Sequence, residues 1–209
     1  MDGTYGHSGD NKNYMTVNVN LYNVDVSSTF VTTTNNALWF ALEFTNGASH
    51  KTGADMVYCY LSPITTATQT AAPTTPVASS WACNDTITTD AAMTPQNDTT
   101  NNIRAVSSTR HYNNSVGRTN RVNYTITFTR DYNTGDSNDF VVTDGASFTM
   151  HYGFGYATTK SGIVLPATSN TASFQNGAFA VALEKVYSAA FLGLAAGLVA
   201  FGTVAATLF

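Results

Sequence analysis

The sequence predicts an all-β chain, an antiparallel β-sandwich followed by one hydrophobic α-helix at the C-terminus. Three observations predict it. Period-two alternation of apolar and polar residues recurs from residue 16 onward, with no helical period before residue 180. β-Branched and aromatic residues are abundant, with eleven Tyr and twelve Phe, and these suit a pleated surface. Residues 189–209 carry no charged side chain. The chain therefore divides into an extended N-terminal segment at 1–15, a sandwich at 16–178 and an apolar helix at 179–209. Its 209 residues have room for one sandwich and one appended element.

The first dozen residues are Gly-rich and polar, and read as extended. Val17, Val19 and Leu21 then face one way, with Thr16, Asn18 and Asn20 facing the other. Leu38, Phe40, Leu42 and Phe44 make the next apolar face, with Trp39 and Ala41 opposite and Asn46-Gly47 as a turn. Residues 55–61 are apolar on both faces, as a central sandwich strand is. The Thr/Ala/Pro-rich stretch 62–80 cannot supply a core strand, because Pro73 and Pro76 would interrupt the ladder. It reads as a long surface loop or as an O-glycosylated tract. Short strands and turns fill 81–108.

Residues 122–130 give the clearest strand: Val122, Tyr124, Ile126 and Phe128 on one face, and Asn123, Thr125, Thr127 and Thr129 on the other. Asn133-Thr134-Gly135-Asp136 is a turn, followed by strands at 139–142 and 146–156. Strands at this spacing imply a sandwich or barrel.

Only 11% of residues are charged, against roughly 25% in ordinary globular proteins. Nine Lys and Arg face thirteen Asp and Glu, so no basic patch exists to hold phosphates and nucleic acid is not an expected partner. Cys59 and Cys83 form a disulfide if the chain is extracellular, and stay as reduced core thiols if it is cytosolic. Four N-glycosylation sequons, at Asn84, Asn97, Asn113 and Asn123, favour the extracellular or cell-surface reading, with N-linked glycans attached. Asn123 falls on the polar face of its strand, pointing away from the core. Met1 is followed by Asp2, Gly3 and Thr4 without an apolar leader, so the extracellular reading expects a processed N-terminus.

As a helix, residues 189–209 would span about 31 Å, enough to cross a bilayer core. Gly193 and Gly197 form a small-residue stripe that lets helices approach closely. The segment reads as a membrane anchor in contact with lipid, as the tail of a lipid-anchor signal, or as a helix that packs against copies of itself.

Leu38-Trp39-Phe40-Ala41-Leu42-Glu43-Phe44, then Gly53-Ala54-Asp55-Met56-Val57, then Phe128-Thr129-Arg130 with Thr134-Gly135-Asp136 and Asp139, and finally His151-Tyr152-Gly153-Phe154-Gly155, follow one another over some 135 residues. In this order they resemble the motifs of the DOMON domain. The resemblance implies an extracellular sandwich of immunoglobulin- or jelly-roll-like layout. It also implies one of three roles: haem b binding, carbohydrate binding, or adhesion and architecture. The haem-binding subset uses a Met and a His as axial ligands. The usual Met position is held here by Lys51, and 165–170 contains no His. Met56 and His151 are the substitutes whose residue types suit a low-spin haem. The plainer reading packs Met56 in the core and puts His151 on a polar strand face beside Thr149.

No catalytic constellation emerges. His7, His50, His111 and His151 show no metal-ligand spacing, and no Ser has an assignable base. Asp131, Asp136 and Asp139 crowd one turn and could offer oxygens to Ca²⁺, although such turns commonly satisfy their own backbone. For carbohydrate, Trp39, Trp81, Tyr58 and Tyr60 are the aromatic candidates. Trp39 and Tyr58 read as inward-facing, and Trp81 as a cover for the disulfide. The leading expectation is a glycosylated structural protein without catalytic residues, which self-assembles into a filament or surface layer through its C-terminal helix. The alternative is a membrane-anchored DOMON-like module for haem b or carbohydrate.

Overall fold

The structure, a computed structural model, describes residues 2–7, 13–27, 37–46, 53–62, 76–88, 95–112, 121–143, 146–157, 174–182 and 204–205. At 2–7, 13, 112, 157, 174–182 and 204–205 it describes the backbone alone. These residues form twelve strands and no helix. They are β1 (Asp2–His7), β2 (Asn13–Asp25), β3 (Ala37–Thr45), β4 (Asp55–Leu61), β5 (Val77–Ala78) and β6 (Ala82–Thr88), then β7 (Pro95–Asn97), β8 (Ile103–Tyr112), β9 (Arg121–Asp131), β10 (Ser147–Ala157), β11 (Phe174–Ala182) and β12 (Val204–Ala205). Two six-stranded antiparallel sheets result, in the orders β12-β1-β2-β9-β8-β5 and β11-β10-β3-β4-β6-β7. The architecture is consistent with the expected β-sandwich.

In the first sheet the alternation of β2 and β9 is realised directly. Val17 pairs with Phe128 and Val19 with Ile126, and all four side chains are buried in the main core. On the opposite face, Thr127 Oγ1 donates to Asn18 Oδ1 at 2.6 Å and Thr125 Oγ1 to Asn20 Oδ1 at 2.8 Å. Cross-strand pairs of this kind hold register where no apolar packing does. The register slips between Leu21 and Val24, where Asn23 takes φ 56°. This bulge switches the buried positions from odd to even, so Val24 and Val26 point inward while Tyr22 is exposed.

In the second sheet, β3 and β4 are buried on both faces. Leu38, Phe40, Leu42 and Phe44 of β3 join Val57, Cys59 and Leu61 of β4 in the main core. Ala37, Trp39, Ala41, Met56 and Tyr58 form a separate buried cluster with Tyr60 against it. By strand alternation that cluster occupies the face turned away from the first sheet. Trp39 and Tyr58, expected to face inward, are buried as core residues, but in this second cluster and not in the main core. Both faces of β3 and β4 are apolar, and periodicity alone does not say which one meets the other sheet.

Two further expectations change. Residues 139–143 form no strand: Val142 N–H donates to Tyr132 O at 2.8 Å, laying this stretch back on the end of β9. The N-terminal segment is extended, as expected, and β1 pairs along its whole length with Asn13 to Asn18 of β2. The helix expected from residue 179 is strand at 179–182, because β11 pairs residue for residue with β10 from Phe174 to Ala182. At 204–205 the chain pairs with Gly3 and Asp2. An uncharged apolar run fits a strand as well as a helix, and backbone pairing decides. The rest of that expected helix lies outside the described residues, as do Gly193, Gly197, Asn113 and the Thr/Pro-rich stretch 63–75. Among the described residues no helix is long and apolar enough to cross a membrane.

Candidate functional site

The alternation that sends Val122, Tyr124, Ile126 and Phe128 into the interior continues to Arg130, so β9 drives a guanidinium between the sheets. Parity on β4 aligns Asp55 with Val57 and Cys59, and on β6 it aligns Asp85 with Cys83. Asp139 arrives from the loop after β9. That loop is shaped by local turns: Gly135 (φ 84°) donates its N–H to Asn133 Oδ1 at 3.0 Å, and Asn138 N–H donates to Asp136 Oδ1 at 3.0 Å. One charged layer thus forms at one end of an otherwise apolar core.

Arg130 is fully buried at 0% exposure. Its Nη2 bonds Asp55 Oδ2 and lies 3.7 Å from Asp139 Oδ2. Its Nη1 donates to Phe140 O at 3.1 Å, and its guanidinium sits 5.0 Å from the centre of the Phe44 ring. Asp55 Oδ2 also accepts Phe140 N–H at 2.7 Å. Asn102 ties the other two acids together, its backbone N–H donating to Asp85 Oδ2 at 3.2 Å and its Nδ2 to Asp139 Oδ2 at 2.9 Å. Asp55 itself is positioned by the turn before β4. There Gly53, with φ 76°, donates to Thr88 O at 2.5 Å, and Ala54 N–H reaches Thr88 Oγ1 at 3.0 Å.

One oxygen from each of Asp55, Asp85 and Asp139 lies within 4.8 Å of the others. Burial pushes the Asp55 carboxyl up to about 7; Arg130 and the Phe140 N–H oppose this, while Asp85 and Asp139 add repulsion. Burial likewise raises Asp85 to about 6, with repulsion from Asp139 and Asp98 opposed by Arg130 and the Asn102 N–H. A pocket of about 230 Å³ adjoins the layer, between Asn46, Gly53 and Asp55 on one side and Asn138, Asp139 and Phe140 on the other. All side-chain donors facing it are oxygen or amide groups, a set that suits a hard cation better than a soft one.

Of the three acids expected to hold Ca²⁺, the structure brings only Asp139 into this layer. Asp131 pairs with Arg104, and Asp136 accepts the Asn138 N–H within its own loop. Sequence reading missed Asp55, Asp85 and Arg130. The signal was present, since each shares the parity of an apolar strand face.

Met56 and His151 do not meet. Met56 pairs with Glu43, and Glu43 pairs with His151, so a strand separates them on the face turned away from the first sheet. Cys59 and Cys83 are direct cross-strand neighbours and form the disulfide. Trp81 packs nearby, with ring centroids 5.8 Å from Phe40 and 5.6 Å from Tyr124.

Among the sequons, Asn97 is exposed on β7 and Asn84 is half-buried on β6. Asn123 is the exception. It is 9% exposed, its Oδ1 accepts the Asn23 N–H at 2.8 Å, and its Nδ2 contacts His111 Nε2 at 3.0 Å. It does point away from the core, but the β2 bulge folds over it, and a glycan on that nitrogen would displace His111. No family model, curated protein or solved structure matches this chain.

Proposed function

We propose that this chain is a glycosylated structural protein of the cell surface or extracellular space that assembles with copies of itself. The observation that carries this reading is the inequality of the four sheet edges. Among the described residues, three edges end in strands of two or three residues, β5, β7 and β12. Pro95 opens one of them, a residue that blunts edge pairing. The fourth edge, β11, is nine residues long and uncharged, and among the described residues it pairs along one side only. A long uncharged edge is a template for strand addition. In sequence it leads into the apolar run 189–209 with its Gly193/Gly197 stripe. The buried disulfide and the exposed Asn97 sequon support an oxidising, extracellular setting.

The test is the assembly state of detergent-washed full-length chain, by electron microscopy and sedimentation. Ala178 and Ala180 pair with His151 and Thr149, register positions that alternate with those of the core residues Phe148 and Met150, so Lys at both positions adds charge to this edge. Ala178→Lys with Ala180→Lys reduces polymers to small species, while the thermal transition of the sandwich persists. Gly193→Ile with Gly197→Ile does the same if the apolar run packs copies together. Polymers unchanged in both variants, or a wild-type chain that is monomeric without detergent, overturn the reading.

A further inference from the structure

We propose that Asp55, Asp85 and Asp139 form a binding site for a divalent cation of the calcium class at the Arg130 end of the interlayer core. Each of the three has a buried Oδ1 with no hydrogen-bond partner, while its Oδ2 is held by a protein donor. The side chains of Asp55 and Asp139 are 1% exposed, so water does not reach these oxygens freely. Buried polar atoms are almost always paired, and three unpaired carboxylate oxygens in one cluster point to a missing partner. One oxygen held by an N–H and the other left open is also how ligating carboxylates are oriented by their surroundings.

Size and charge agree. Two Ca–O bonds of 2.3–2.6 Å span roughly 5 Å across the ion, which accommodates one carboxylate oxygen from each of the three acids, these lying within 4.8 Å of one another. Three carboxylates and the Arg130 guanidinium leave two uncompensated negative charges when all are ionised, and a divalent cation neutralises them. The donors are all oxygen, the choice of a hard ion. The adjoining pocket supplies an entry route, and Asn138 and Asn46 line it with amides that help shed hydration water. Two protons would also neutralise the cluster, and the experiment separates the two outcomes.

Full-length protein is stripped with EDTA, dialysed, and melted at mildly alkaline pH with and without millimolar CaCl₂, against NaCl of matched ionic strength. Calcium raises the melting temperature by roughly 5–10 °C, the shift expected for a site well above saturation in a chain of this size. Calorimetric titration of CaCl₂ into the wild type gives one ion per chain and needs no variant. Asp85→Asn and Asp139→Asn each abolish most of the shift. Without calcium these variants melt no lower than the wild type, because each removes a repelling charge. No calcium-specific shift and no binding heat overturn the site, and so does a full calcium response in both variants.

Discussion

Toward one end of the interlayer space, Cys59 and Cys83 join β4 to β6 beside Trp81, which packs against Phe40 and Tyr124. Toward the other, Arg130 stacks on Phe44 and binds carboxylates from β4 and the loop after β9. The same two sheets thus meet in one place through aromatic packing beside a disulfide that ties two strands of one sheet, and in the other through buried charge. The difference lies in what each contact requires. Apolar burial is non-directional and stabilises wherever shape permits, and the disulfide acts chiefly by restricting the unfolded chain. Buried charge stabilises only while every member has its partner, because desolvating an unpaired ion costs several kcal/mol. One end tolerates change, and the other is poised to respond to protons or cations.

The comparison breaks most sharply at Arg130. Arg130→Met keeps the volume but leaves three carboxylates facing one another, and urea unfolding of the metal-free protein should show a loss of about 3–5 kcal/mol. A loss under about 1 kcal/mol would mean the charged end is solvated and not a structural seal. Next in size, Cys59→Ser with Cys83→Ser opens a crosslink between residues 24 apart, and chain entropy assigns it about 3.5 kcal/mol. The denaturant midpoint should fall while the fold survives. Full loss of structure would mean that Trp81 and its neighbours cannot close that end alone.

The smallest effect separates the ends by pH. Asp55 and Asp85 are raised to about 7 and about 6 from 3.8. A carboxyl raised by folding contributes its full stability below the unfolded value and loses it as pH rises through the folded value. In EDTA, stability should therefore decline between about pH 4 and pH 8. Burial sets this window; Asp139 and Asp98, with Asp85 acting on Asp55, push it further up, and Arg130 opposes them. The cysteine double variant should keep the same decline, since it leaves the charges and hydrogen bonds around Asp55 and Asp85 unchanged, whereas Asp85→Asn should flatten it. An unchanged stability across the window in the wild type would show both carboxylates to be solvated.

Much of the site was legible, although it went unread. Arg130 continues the parity of Val122 to Phe128, and Asp55 and Asp85 share faces with Cys59 and Cys83, so three charges on buried faces could be marked from alternation alone. What alternation could not supply is Asp139. It lies in a loop that reads as a strand, and its place depends on Asn102 and on Arg130 holding Phe140 O. Asn123 shows the same limit. Its strand parity was read correctly, but its burial comes from a bulge 100 residues away in sequence.

By itself, the sequence determined β2, β3 and β9 from their two-residue period, β4 as a strand apolar on both faces, the strand at β10 and the candidate cysteine pair, because period and composition are properties of a local stretch. Tertiary structure decided which face of β3 and β4 meets the other sheet and that residues 179–182 continue a strand. It also decided that acids from three elements converge on one arginine. Each of these depends on which segments become neighbours, and backbone pairing and the free energy of burying charge are properties of the neighbours, absent from any single stretch of chain.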